Sequence, residues 1–406
     1  MIHALINKKN IQMLNNIKSF VVFVFVLSVF IGSSISYGII YPLRLISPLL
    51  MIAIMLFYYD KKPILTFINK LFFWFIILFF SLTLLSSITG YISLFIIPKL
   101  DDALNFFMIF IVLFNFILIY LLDKKYFLKR LSFYLKFVYL IFLLIAIFEI
   151  FTFNHLSLSR YNGTLINIPT VFFYNENDFA AVFTLIFLFL ITHNNLRLNF
   201  LNCFLFIIHF GILIYSGARI SSFILILFLL IYRFRSIFLI SLLSLLFLVF
   251  SNQNLVNEKT TSFLLRKVLV KKNDASQNIR FNLYKESLKS VKKSFILGYG
   301  INSSASYLNK ADKENYISNV RQPHSFQLEL LINGGIIVFI FFIIFNVYVF
   351  YILLKKNQYE RAFNIVAYNV ILFSSSSSLF IWPIYLFLFI YMCWADEHFT
   401  NSKYID

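Results

Sequence analysis

Three short stretches of this 406-residue chain combine residue types and spacing that chemistry can use, and all three are basic. Ser216-Gly217-Ala218-Arg219 joins two apolar runs by a tight turn and leaves Arg219 at the N-terminal end of the second. A cation there opposes the helix dipole. Either the side chain snorkels to lipid headgroups, or it works with the free backbone N–H groups as an anion site. Between Ser276 and Leu297, Tyr284, Leu288, Val291 and Phe295 recur at spacings of four, three and four, the period of an amphipathic helix resting on a membrane surface. Lys285, Lys289, Lys292 and Lys293 lie off that stripe, whereas Arg280 continues it. A guanidinium facing a bundle is expensive unless paired, so Arg280 calls for an anionic partner, from the protein or from a ligand. The third stretch is Arg321-Gln322-Pro323-His324-Ser325-Phe326-Gln327. Pro323 can open a helix at its first turn, which would seat His324 on the outermost turn. An imidazole there either takes a hydroxyl proton as a general base or is a hydrogen-bonded boundary residue.

Acidic and amide groups near these stretches are candidate supports. Asn175-Glu176-Asn177-Asp178 reads as an N-cap with helix-dipole partners, and Asn175, Asn177 and Asp178 could equally bind a hydroxyl-rich ligand. Glu149 and Glu329 are placed to pair with the arginines or to orient His324. The remaining histidines, His3, His155, His193, His209 and His398, lack such surroundings. Gly298-Tyr299-Gly300 follows a helix rather than a strand, so it does not read as a phosphate loop. There is no Walker lysine motif, HExxH, CxxC or Gly-x-Ser-x-Gly elbow, and Cys203 and Cys393 sit in apolar runs without a disulfide framework. No metal or other cofactor is expected.

The elements that must position these residues are membrane helices. Of the chain, 61% is hydrophobic and 13% charged, against roughly 45–50% and 25% in a soluble domain. Apolar runs between charged breaks predict about twelve spans, near 19–38, 40–59, 70–88, 103–122, 133–153, 177–193, 200–216, 217–232, 236–251, 325–353, 363–380 and 384–395. The net charge of +18 would suggest nucleic acid in a soluble protein. Here it sorts by membrane side instead: outside segment 252–323, only Arg44, Lys99, Arg160 and Arg219 fall on the face opposite the basic loops. The positive-inside bias then puts both termini in the cytoplasm. Two outer loops follow, 154–176 and the large 252–323, the latter with 13 Lys and Arg against 5 Asp and Glu. The expected fold is therefore an all-α polytopic bundle, a single membrane domain over 1–406, with its chemistry at the outer face.

These residues, in this order, resemble the bacterial O-antigen ligase and polymerase superfamily. Ser216-Gly217-Ala218-Arg219 is similar to its Ser-Gly-Ser-Arg turn. Arg280 through Gly298-Tyr299-Gly300 resembles its Arg, amphipathic helix and Gly-x-Gly stretch, and His324 with Gly335 resembles its His-x10-Gly pattern. The similarity runs over 216–354, with an echo in Phe172 to Ala181; it departs at Asn333, where an acid is expected. The resemblance implies sugar transfer from a polyprenyl pyrophosphate donor. Arg219 and Arg280 would clamp the leaving pyrophosphate, and His324 would deprotonate the acceptor hydroxyl. Arg160 and Arg321 would hold other parts of the glycan. A polymerase of lipid-linked repeat units is the expected activity, acting with flippase and chain-length regulator proteins in the bacterial inner membrane. A ligase to lipid A core is the alternative, and a lipid-linked oligosaccharide flippase is a more distant one.

Overall fold

In hydrocarbon, backbone N–H and C=O groups have only each other as partners, so apolar runs of this length fold as helices. The computed structural model describes residues 2–32, 45–58, 67–95, 97–156, 159–164, 166–194, 200–232, 275–293, 297–301, 303, 325–374 and 381–401. Every regular element among them is an α-helix: α1 (Ile2–Ile31), α2 (Ile46–Tyr58), α3 (Phe67–Leu94), α4 (Leu100–Leu122), α5 (Phe127–Thr152), α6 (Glu176–His193), α7 (Phe200–Tyr215), α8 (Arg219–Tyr232), α9 (Ala275–Lys293), α10 (Phe326–Lys355), α11 (Tyr359–Ser374) and α12 (Trp382–Asn401).

Six stretches are long and apolar enough to cross a bilayer: Gln12–Ile31, Ile68–Ser93, Leu100–Leu122, Phe127–Thr152, Glu176–His193 and Phe326–Lys355. Shorter apolar helices lie at Ile46–Leu56, Phe204–Tyr215, Arg219–Tyr232 and Trp382–Asp396. The all-helical architecture is thus present, with six candidate membrane spans among the described residues where twelve spans were expected. The expected span 236–251 lies outside those residues, as does segment 252–323 apart from 275–293, 297–301 and 303.

Tight turns make neighbouring helices antiparallel. Gly217, at φ +69°, ends α7; its N–H donates to the Ile214 carbonyl at 2.9 Å and that of Ala218 to the Leu213 carbonyl at 3.0 Å. Asn357, at φ +55°, ends α10 in the same way, with Asn357 and Gln358 donating to Leu354 and Leu353. Both are Schellman caps, which satisfy the last carbonyls of a helix. At the centre, α6 is buried along nearly its whole length and packs on α5, α8, α11 and α12. The 20% aromatic content fills the interior by ring packing. Phe389 of α12, for example, lies 5.2 Å from Phe116, 5.4 Å from Phe72 and 5.8 Å from Phe127.

Side-chain contacts define two ends. At the basic end, the buried Asp396 accepts from Tyr120 at 2.7 Å and meets Lys124 at 2.9 Å, and Lys356 donates to the Ala395 carbonyl at 3.1 Å. Burial lowers the Lys356 ammonium below its usual range, a shift that the Asp396 charge opposes. Asp396→Ala would strip Tyr120 and Lys124 of their acceptor together; since Lys124 retains water access, the expected loss is about 2 kcal/mol. It is read as a lower melting temperature in detergent, and an unchanged one would show that the pair contributes nothing.

Candidate functional site

The opposite end gathers the C-termini of α3, α5 and α7, the N-termini of α6, α8 and α10, and helix α9. Glu149, in the last turn of α5, is a buried carboxylate, tolerable only if its lone pairs are used. Its Oε2 accepts from the backbone N–H of Thr170 at 2.7 Å and of Val171 at 2.9 Å. Its Oε1 lies 3.5 Å from Nδ1 of His155, whose side chain is equally enclosed. His155 Nε2 is 2.5 Å from the Ile166 carbonyl, so that nitrogen carries the proton and donates it. Val171 sits at φ +53°, a strained conformation for a β-branched residue, and the Glu149 clamp holds it there. Glu149→Ala would leave two buried N–H groups without an acceptor, a loss of about 2–3 kcal/mol. Amide exchange at Thr170 and Val171 should then rise by more than about tenfold; unchanged protection would mean the loop is held elsewhere.

The same loop ends on the α6 N-cap. The Asn175 side-chain oxygen accepts from the N–H groups of Asn177 and Asp178, both at 3.0 Å, and its amide donates to Asp178 at 2.6 Å. Arg160 places one guanidinium nitrogen 2.7 and 2.6 Å from the two oxygens of Glu176 and hydrogen-bonds the Tyr161 hydroxyl, over whose ring it stacks. Burial pulls the Arg160 guanidinium down, but the Glu176 carboxylate together with Tyr161 and Tyr174 more than offsets it and leaves the guanidinium raised. Burial and the Glu176 charge push the Tyr161 phenol up to about 12, so it is a neutral hydrogen-bonding group at working pH.

A hydrogen bond between Asn167 and Tyr215 ties this loop to the end of α7, one residue before the Ser216–Arg219 turn. Arg219 opens α8 with its side chain exposed, and Ser216 spends its hydroxyl on the Leu213 carbonyl at 2.9 Å.

Helix α9 packs on α10, on a different face from the expected stripe. Leu283, Glu286 and Ser287 are buried, while Leu288 is 56% and Phe281 69% exposed. Lys285, Lys292 and Lys293 are exposed as expected; Lys289 pairs with Glu286 at 2.6 Å. The stripe was misplaced because apolarity alone chose it, whereas Ser287 is small enough for close packing and bonds back to the Leu283 carbonyl at 2.6 Å. Arg280 lies in the second turn of α9, three residues before Leu283 and seven before Ser287, at the register of the packed face.

After α9, Gly298-Tyr299-Gly300 inserts between α3 and α10. Tyr299 and Gly300 donate to the carbonyls of Ile332 and Asn333 at 2.8 and 2.9 Å, Ile301 donates to Ser87 Oγ at 3.2 Å, and Ser86 bonds the Leu297 carbonyl. The α10 backbone is broken at this point: Gly335 has φ +78° and ψ −179°, where a continuous span was expected. Asn333, in the position of the expected acid, accepts from Ser303 Oγ at 2.9 Å through its side chain. Glu329 is buried one turn above, within electrostatic range of Tyr385 of α12. Helix α10 begins at Phe326 with Ser325 extended as its N-cap, so its first turn starts two residues after His324 instead of including it.

The described residues therefore bring Glu149, Arg160, Asn175, Asn177, Asp178 and Arg219 to one end, and hold Asn333 against the Gly-Tyr-Gly insertion with Glu329 buried one turn above it. Arg321, His324 and the Arg280 side chain lie outside the described residues. Sequence reasoning missed the His155 contact with Glu149 and the insertion itself. The signal for the latter was a bulky tyrosine between two glycines, matched by the pair Gly334-Gly335 and by Ser86, Ser87 and Gly90 on α3. Among the described residues no cluster of three or more His, Cys, Asp or Glu forms that could hold a metal.

Residues 179–343, from the first turn of α6 to the middle of α10, match the family model described as O-antigen ligase. Over these residues the chain is similar to the O-antigen ligase and polymerase superfamily. Members of this family are glycosyltransferase-like enzymes of the membrane. Comparison with curated proteins and with solved structures gives no match. The matched region holds Arg219, Arg280, Arg321, His324 and Glu329; Glu149, Arg160 and the α6 cap lie before it.

Proposed function

We propose that the chain polymerises polyprenyl-pyrophosphate-linked oligosaccharide repeat units into O-antigen or capsular polysaccharide at the outer face of the cytoplasmic membrane. The observation that carries this reading is the family match itself: it spans Arg219, Arg280, Arg321 and His324 in one stretch. An outer-face transferase has no access to cytoplasmic nucleotide sugars, so its donor arrives on a lipid.

In this reaction the acceptor hydroxyl oxygen attacks the anomeric carbon of the donor, and the bond from that carbon to the pyrophosphate oxygen breaks. The hydroxyl proton passes to His324, and the charge left on the pyrophosphate is held by Arg219 and Arg280. Attack opposite the leaving group inverts the anomeric configuration. Fixed cations take the role a metal ion would otherwise have, so no metal is required. Arg160, Arg321 and the α6 cap would contact the glycan, with a flippase and a chain-length regulator as partners. A ligase acting on lipid A core is a second reading, favoured by the description of the matched model. The test is purified protein with a defined pyrophosphate-linked oligosaccharide, products separated by size. A ladder supports the polymerase; transfer only when lipid A core is supplied moves the reading to the ligase; transfer to neither overturns both.

A further inference from the structure

At the basic end, the groove between α1 and the start of α5 has no part in the chemistry above. It encloses about 410 Å³ and is lined by Asn15, Ser19, Tyr126, Lys129, Arg130 and Phe133. Its polar wall is fixed from several sides. Arg130 Nε lies 2.9 Å from Asp123 Oδ2, and Nη1 donates to the Asn15 carbonyl at 2.7 Å. Asp123 is also 3.9 Å from Lys18, so its charge is already shared. Lys129, exposed at the mouth, has no carboxylate partner among the described residues. Lys125 lies over the Tyr126 ring at 5.4 Å and adds to the positive charge of the rim.

From this mouth an aromatic track runs down the groove. Ser19 and Tyr134 share a hydrogen bond at 2.7 Å, the Phe23 and Phe133 rings each lie 5.3 Å from Tyr134, and Phe137 lies 5.0 Å from Phe133. Phe133 and Phe137 are each more than half exposed. A cationic mouth at a bundle end above an exposed apolar track matches an amphiphile with an anionic head. A soluble anion would use only the mouth, and a zwitterionic lipid would gain little from it.

We propose that this groove binds an anionic phospholipid, its phosphate at Lys129 and the Tyr126 rim and an acyl chain along Phe133 and Phe137. On the sidedness read from the sequence, this is an inner-leaflet site.

The test is native mass spectrometry of the full-length protein in neutral detergent with phosphatidylglycerol, phosphatidylcholine or inorganic phosphate. Phosphatidylglycerol should bind at least about tenfold more tightly than phosphatidylcholine, and Lys129→Glu should remove that preference. Lys129→Gln, which adds no repulsion, should reduce it, and Phe133→Ala should weaken both lipids while leaving the preference. Equal binding of the two lipids, full preference in Lys129→Glu, or competition by inorganic phosphate at the lipid's own concentration would each overturn the proposal.

Discussion

His324→Ala is expected to abolish the product ladder while leaving the lipid-linked donor intact. An acceptor hydroxyl is a weak nucleophile until its proton has somewhere to go, and a positioned general base is worth about 10²–10⁴ in rate. The leaving pyrophosphate needs no protonation, so the base on the acceptor side is the step no other group replaces. The reading also fixes what accumulates in cells: single repeat units on their carrier if the chain is a polymerase, long unattached polymer if it is a ligase. Full activity in His324→Ala, with unchanged melting temperature, would remove the histidine from the mechanism. Arg280→Ala provides a second arm, with an expected loss of about 10²–10³ in kcat from the missing charge on the leaving group.

Gly300→Ala is expected to cost about 3–5 kcal/mol. A Cβ at Gly300 would lie 2.2 Å from Ser87 Cα and 2.4 Å from its N, and both are backbone atoms of α3 that cannot rotate away. The residue is also at φ +91°, so strain adds to overpacking. Gly163 supplies the control, since it has φ +74° with nothing within 4 Å of a Cβ. Gly163→Ala carries the backbone penalty alone, about 1 kcal/mol. The comparison is made by thermal unfolding in detergent, with transfer activity measured below the transition. Equal melting temperatures for the two variants would mean that Gly300 does not approach Ser87 in the membrane.

The helical membrane fold was legible because length and apolarity are the signals a bilayer imposes, and those survive in any one sequence. The turn at Ser216–Arg219 and the cap at Asn175 were legible for a local reason: each is settled by residues within four positions. Contacts across the chain were not. The partner of Arg160 is Glu176, sixteen residues on, and nothing in periodicity selects it over Glu149. The Tyr299 insertion depends on hydrogen bonds to α10 and a close approach to α3, more than two hundred residues earlier. The stripe on α9 failed for a related reason: at a packed interface a serine that allows close approach outranks a leucine that does not fit.

The break at Gly335 also changes how α10 meets the lipid. Residues 336–355, at about 1.5 Å each, amount to about 30 Å, the thickness of the hydrocarbon layer. That lower piece is apolar apart from Asn346 and its terminal lysine. It satisfies the bilayer's length requirement by itself. The piece above the break, carrying Gln327, Glu329 and Asn333, is thereby released from hydrophobic matching. Its position is set instead by contacts within the protein, such as Ser303 to Asn333 and Gln327 to the Asn369 carbonyl.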